Sequence, residues 1–293
     1  LDSLNMDIEN IISKNFLDLK SVAKSEKINY LKAQPFPSIV FNNFFKEDYL
    51  DSILKDFPDL AKLKESQNYN VKNEIKLSNN NYAKFPQKIK SFIDFLNSDI
   101  FLDFLQEITS VEEKLITDPN LEGGGLHEIK NGGILKVHTD FNRHPFLDLD
   151  RRINVLIYLN KLWKDSFKGH LELWDKDMTR CVKKILPSFN TLAIFSTTDF
   201  SNHGHPEHIN CPENLSRKSI ALYYFSSGRP DNEVINKNMK SKTYFKSRSG
   251  IKNDADEKKE VFKNFIRSFK LYRLIKNFEK KYIRRSKKSS KGK

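Results

Sequence analysis

Gly132-Gly133-Ile134-Leu135-Lys136-Val137-His138-Thr139-Asp140 is the stretch on which the reading of this chain turns. A glycine pair leads into a short, largely apolar run, as at a turn that feeds a β-strand. The run ends in His-x-Asp. Side chains alternate along a strand with period two, so His138 and Asp140 leave the same side of its end. A histidine and a carboxylate placed together are two of the three ligands of a metal site that keeps half its coordination sphere open. The third is His203, far downstream. It must arrive from another strand, and the chain between 140 and 203 is rich in strand patterns.

Two histidines and one carboxylate can occupy one face of an octahedral Fe(II) and leave three positions free. In a chain with seven histidines and 38 acidic residues His-x-Asp alone is a weak signal, and its surroundings decide. Behind it come Arg152-Ile153-Asn154-Val155-Leu156-Ile157-Tyr158-Leu159-Asn160 and then Trp163. Later, Ser201-Asn202-His203-Gly204-His205-Pro206 is followed by Ser216-Arg217-Lys218-Ser219 and the strand Ile220-Ala221-Leu222-Tyr223-Tyr224-Phe225. On these separated motifs, in this order, the sequence resembles the 2-oxoglutarate and Fe(II)-dependent dioxygenases, specifically the prolyl-4-hydroxylase-like branch. The resemblance covers about residues 120–230.

It implies a division of labour. His138, Asp140 and His203 would hold Fe(II), the histidines as neutral imidazoles and Asp140 through one oxygen. The cosubstrate 2-oxoglutarate would take two of the open positions, with ascorbate as reductant. Its far carboxylate requires a buried cation. Arg217 fits, because a guanidinium grips a carboxylate with two parallel N–H groups, and its spacing after the distal histidine matches the family. Ser219 lies on the same side of its strand as Arg217. Tyr158 matches a family position whose hydroxyl reaches the same carboxylate, and Asn154 is a further candidate for the pocket wall. His205 and His208 lie close to His203, but the family pattern sets the ligand after Ser-x and before Gly, which selects His203. His127 is a candidate to face the pocket; His144 and His170 read as loop or strand-edge residues, and Trp163 and Trp174 as packing.

The formal charge of +13 resembles a nucleic-acid signal until it is located. Residues 251–293 hold 16 Lys or Arg and 5 Asp or Glu, so +11 of it lies there and the rest of the chain is close to neutral. No apolar run approaches the roughly 18–20 residues needed to span a bilayer. The opening residues lack the basic and apolar regions of a signal peptide. Cys181 and Cys211 have no metal-type spacing, and the expectation is a reduced, cytoplasmic setting.

In chain order, apolar residues at three- and four-residue steps predict a helix over 6–25. A strand follows at Ser38–Phe41 and a helix from Asn42 to Asp59; the Asn-rich interval 65–81 reads as a loop. Pro86 to Glu107 returns to helix, split at Asn97-Ser98. From Leu115 short strands take over. Gly123-Gly124-Gly125 either lets backbone approach the site closely or forms a flexible turn. Further strands are predicted at 152–160, 170–174, 182–185, 191–195 and 218–225. Eight or so strands at this spacing describe a jelly roll, or double-stranded β-helix. The expected class is α+β with a mainly β core: a helical support region over 1–114, the jelly-roll core over 115–230, and over 231–293 a polar linker, a basic amphipathic helix at 258–283 and a basic tail.

The function this implies is hydroxylation of an unactivated C–H bond, coupled to conversion of 2-oxoglutarate and O2 to succinate and CO2. The acceptor implied first is a protein prolyl residue, with a small molecule or a saccharide- or nucleotide-linked substrate as the alternative. A non-catalytic cupin-like binding module would be expected to have lost the triad or Arg217, and both are intact. An RNA- or membrane-surface-binding protein finds support only in the basic tail, which remains a candidate for weak anionic contacts.

Overall fold

The computed structural model describes residues 8–233 and 243–251. Its helices are α1 (Ile8–Ile11), α2 (Leu19–Lys32), α3 (Glu47–Lys55), α4 (Gln87–Leu96) and α5 (Asp99–Thr109). Its strands begin with β1 (Ser38–Asn42), β2 (Gln67–Val71), β3 (Glu74–Asn79), β4 (Ile116–Thr117), β5 (Gly125–Lys130) and β6 (Ile134–Thr139). They continue with β7 (Asp150–Tyr158), β8 (Leu171–Trp174), β9 (Cys181–Ile185), β10 (Thr191–Ser196), β11 (His203–His205), β12 (Ser216–Ser226) and β13 (Tyr244–Phe245).

The strands form one antiparallel path, β1-β10-β7-β12-β5-β3-β6-β11-β8-β9, which curls into a nearly closed barrel of jelly-roll type. β7 explains how the layers stack. Ile153, Val155 and Ile157 point outward into a core shared with helix residues such as Phe92, Leu96, Phe101 and Phe104. Asn154, Leu156 and Tyr158 point into the barrel. The helical layer therefore braces one face of β1-β10-β7-β12 and leaves the other face to the cavity. Phe44 is fully buried at its centre, with the rings of Phe16, Phe41, Phe45 and Phe104 within 5.7 Å. Each such ring contributes roughly 1.5–3 kcal/mol by leaving water.

Four stretches differ from expectation. The helix predicted over 6–25 is broken into α1, a 3-10 turn at Lys14–Phe16, and α2, which runs on to Lys32. The break lies at Asp18, whose carboxylate accepts from the Ser21 backbone N–H (3.0 Å) and hydroxyl (2.7 Å), making it the N-cap of a new helix. The helix predicted from Asn42 is shorter, because β1 continues to Asn42 and α3 starts at Glu47. The interval 65–81, read as a loop, contains the β2–β3 hairpin, and β3 is inserted between β5 and β6. Its Tyr69, Glu74 and Lys76 line the barrel interior, so the interior here is polar and the apolar alternation that marks a strand is missing. In the stretch after Pro230, read as linker, β13 pairs with β6. The helix expected at 258–283 and the basic tail lie outside the described residues. Both cysteines are free, and no helix among the described residues is long and apolar enough to cross a membrane.

The glycine triplet resolves toward close approach. Gly125 has a φ of +87°, and a Cβ there would collide with the carbonyl oxygen of Asn79. The neighbour that comes near is strand backbone, not a ligand.

Candidate active site

β6 ends at Thr139, with His138 inside the barrel and Asp140 one step past the strand. β11 pairs with β6 so that His203 lies opposite His138. The Asp140 carboxylate sits between the rings, 3.5 Å from His138 Nε2 and 3.4 Å from His203 Nε2. Candidate ligand atoms of the three residues all lie within 4.8 Å of one another. Each ring is turned by its own backbone. The Nδ1–H of His138 donates to the Lys136 carbonyl at 2.9 Å, and that of His203 to the Ser201 carbonyl at 2.9 Å. A carbonyl only accepts, so in the neutral ring the free lone pair is on Nε2, the atom that points at Asp140. Burial pushes the His203 ring down to about 4, against the pull of Asp140, which leaves it neutral at neutral pH. Three such groups could hold a divalent metal with an open face.

Asp140 is held from behind. Arg151 Nη2 donates to Oδ2 at 2.8 Å and Asn154 Nδ2 to the same oxygen at 2.7 Å. Burial works to raise this carboxyl, but Arg151 and the two histidines outweigh it and hold it well below the usual carboxylate range. Arg151 is itself sandwiched, its guanidinium 3.3 Å from the Tyr223 ring centre and 4.6 Å from that of Phe141. Strict alternation along β7 would put Arg152, not Arg151, on the side of Asn154. A bulge reverses this: Tyr224 pairs with Ile153 and Phe225 with Arg151, so Arg152 is the extra residue. Arg151 turns inward, and Arg152 turns out to Glu113 and Glu233.

At the other end of a cavity of about 290 Å³ lies Arg217. It is 6 % exposed, yet its partners are neutral: Nε donates to the Gly169 carbonyl at 2.7 Å and Nη2 to the Tyr158 hydroxyl at 3.2 Å. No carboxylate among the described residues pairs with it. Burial pushes the guanidinium's pKa down, but an arginine stays charged. Ser219 is buried beside it, facing Tyr158 and His127 across the ladders. All six sequence candidates, His138, Asp140, His203, Arg217, Ser219 and Tyr158, thus line one cavity, as do Asn154 and His127.

Sequence reasoning missed several of its walls. Lys76 and Glu74, paired at 3.0 Å, come from the hairpin read as loop. His205, set aside in favour of His203, lines the cavity with it. β13 brings Thr243 to the wall and the Phe245 ring to 5.7 Å from the His138 ring. The bland readings of the remaining residues fit their contacts: His144 packs on Phe225, His170 bonds Asp165 on the surface, and Trp163 donates to the Lys168 carbonyl.

Comparisons with known proteins agree with this geometry. Residues 124–225 match the family described as the 2OG-Fe(II) oxygenase superfamily. Among solved structures, a prolyl 4-hydroxylase from Phytophthora capsici is similar at a TM-score of 0.50 and 17% identity, over 77% of this chain and 68% of that one. A prolyl hydroxylase from Trichoplax adhaerens, in complex with a peptide fragment of hypoxia inducible factor, is similar at 0.50 and 18%, over 72% and 92%. These likenesses establish the fold. No curated protein matches the sequence. The family match spans the stretch that carries His138, Asp140, His203 and Arg217.

Proposed function

We propose that the chain is an Fe(II)- and 2-oxoglutarate-dependent dioxygenase that hydroxylates an unactivated C–H bond, with succinate and CO2 as the products of the cosubstrate. The observation that carries this reading is the charge arrangement of one cavity. Two histidine rings and an ionised carboxylate converge at one end, and a buried guanidinium without a carboxylate partner among the described residues lies at the other. A dicarboxylic keto acid is the kind of molecule that answers both ends. The donor set fits Fe(II), and Arg217, whose partners among the described residues are neutral, fits the far carboxylate. When bound, the metal and cosubstrate supply the oxidising chemistry, and the protein supplies placement and exclusion of water.

On this reading His138, Asp140 and His203 are the metal ligands. Lys136 O and Ser201 O fix the two rings, and Arg151 with Asn154 ties down one Asp140 oxygen so that the other stays free for the metal. Arg217 takes the far carboxylate with two parallel N–H groups, and Ser219 and Tyr158 add neutral donors. The domain division of 1–114, 115–230 and 231–293 is part of the proposal, with β13 as an addition from the last region to the site of the second.

For the acceptor we favour a prolyl residue of a protein, supported by the likeness to prolyl hydroxylases, one of them seen with a peptide. Glu74, Lys76 and Glu122 in the cavity lining add charge of both signs, which keeps a small polar or saccharide- or nucleotide-linked acceptor as the second reading. The test is succinate formation from 2-oxoglutarate, with ascorbate as reductant, first without acceptor and then with candidate acceptors. Formation that requires Fe(II) and disappears in Asp140→Ala and His203→Ala supports the reading. Turnover and iron affinity unchanged in those variants would overturn it.

A further inference from the structure

Five of the seven histidines have ring partners. His138 and His203 bond the Lys136 and Ser201 carbonyls, His144 accepts from the Phe146 and Leu147 N–H groups, His170 bonds Asp165, and His208 bonds the Gly132 carbonyl. His127 leaves its Nε2 without a partner. His205 stands apart: it is 2 % exposed, and among the described residues neither ring nitrogen makes a full hydrogen bond, the Glu207 backbone interacting with the ring only weakly. A buried polar atom left unpaired is destabilising, because it has given up water and gained nothing in return. A residue that carries two of them marks a place where a polar group belongs.

Its position says which group. His205 shares the inner face of β11 with His203, two residues away, and lines the same cavity. Between them Gly204 has no room for a side chain, since a Cβ would lie 2.8 Å from the carbonyl oxygens of Leu135 and Lys136. β11 is therefore pressed against β6 and the His205 ring is held in the wall. It sits at the Arg217 end. His205 and Gly169 together line a smaller cavity of about 160 Å³ behind the main one, and the Gly169 carbonyl is the acceptor of Arg217 Nε. The ring and the guanidinium thus flank one region of the main cavity. An ionised carboxylate offers about four lone-pair sites, more than one guanidinium edge fills.

We propose that His205 is a positioning residue for the cosubstrate, donating a ring N–H to the far carboxylate of 2-oxoglutarate that Arg217 holds. This rests on the cosubstrate reading above. The N–H is a charge-assisted donor to the carboxylate, and together with Arg217 it fixes the swing of the keto-acid end toward the metal.

The test is binding, with the full chain loaded with Mn(II) under anaerobic conditions and the keto acid titrated by calorimetry. Two ligands separate the ends of the cosubstrate: 2-oxoglutarate, and 2-oxobutanoate, which keeps the keto-acid end and lacks the far carboxylate. His205→Phe keeps a ring and removes both nitrogens; His205→Gln keeps an N–H donor. The expected result is that His205→Phe weakens 2-oxoglutarate binding about ten- to hundredfold, as for a hydrogen bond to a charged group. Binding of 2-oxobutanoate and Mn(II) should be unchanged, and His205→Gln should recover part of the loss. Should His205→Phe fail to fold, as read by its melting curve, His205→Leu is measured in its place. An unchanged affinity for 2-oxoglutarate overturns the inference. So does equal weakening of both keto acids, or a loss of Mn(II) affinity, which would put His205 at the metal. Failure of the wild-type chain to bind 2-oxoglutarate at all overturns the cosubstrate reading instead.

Discussion

Arg217 and Arg151 are both buried guanidiniums in one cavity, and their surroundings give them opposite tasks. Among the described residues Arg217 has only neutral partners, so its charge is available to an anion. Removing one partner of a buried charged pair costs roughly 3–5 kcal/mol, because the other is left unpaired. Arg217→Ala should therefore raise the 2-oxoglutarate requirement by roughly two to three orders of magnitude with little change in metal affinity. Arg217→Lys should fall between, since one ammonium cannot reproduce the fork. Parallel loss of metal and cosubstrate binding, read by separate titrations, would mean a damaged fold. Arg151 already has its anion. Its partner Asp140 titrates below the ordinary carboxyl range, so the ionised form, and the stability of the pair, persist above that range and are lost only as pH falls below it. Arg151→Met keeps the burial and removes the largest opposing influence, so the carboxyl must rise. The acid edge of Mn(II) binding should then move to higher pH in a titration series; an edge that stays in place would show that Arg151 does not set the charge of Asp140. The six candidate residues were legible because family motifs carry them. Arg151 was not, because period-two counting puts its neighbour Arg152 on the inner face and only a bulge exchanges them.

At the level of elements, the readable strands were those with an apolar face to bury. β7, β10 and β12 read as strands because each carries an apolar run with one side packed on helices, and their predicted limits lie within about two residues of the observed ones. β2 and β3 escaped because the cavity face they supply is polar, β2 is otherwise largely exposed, and on β3 Leu77 alone packs on the main core. The register between β6 and β11 was equally invisible. His203 pairs with His138 and His205 with Leu135, so two steps on β11 match three on β6. That bulge lets Leu135 and His138, at odd spacing, both face inward. Gly204 is its hinge point, and Gly204→Ala tests it. The added methyl must push β11 away from the Leu135 and Lys136 carbonyls, an overpacking that costs roughly 1–3 kcal/mol. Because His203 rides on the displaced strand, metal affinity should fall further than thermal stability. A variant that melts earlier but binds Mn(II) like wild type would show that the close approach serves packing alone.

Across the whole molecule, the question is how far the site extends into the region after Pro230. The sequence reading placed every chemical residue before it, within the stretch that carries the family resemblance. β13 qualifies that reading. Tyr244 pairs with Thr139 and Phe245 with His138, the Lys246 N–H donates to the Val137 carbonyl at 2.8 Å, and Thr243 reaches the cavity wall. Four residues thus cover the edge of the strand that carries His138, while the +11 charge of residues 252–293 lies beyond them. Two truncations separate the contributions. The chain shortened to residues 1–251 keeps β13 and loses the basic segment. It should retain uncoupled 2-oxoglutarate turnover and metal affinity and lose only salt-sensitive binding to anionic liposomes or RNA, where each basic residue near a lipid surface adds about 1 kcal/mol. Shortened to 1–242, the chain loses β13 as well. The open edge of β6 then frees the backbone that orients the His138 ring, and water gains access to the face of that ring which Phe245 covers in the full chain. Metal affinity and turnover should both drop, with the melting transition still cooperative because the helix-braced core is untouched. Equal activity in the two truncations would reduce β13 to a passive edge cover. A 1–251 chain that melts cooperatively but forms no succinate would mean that residues 252–293 complete the site, and the division of the chain proposed above would fall.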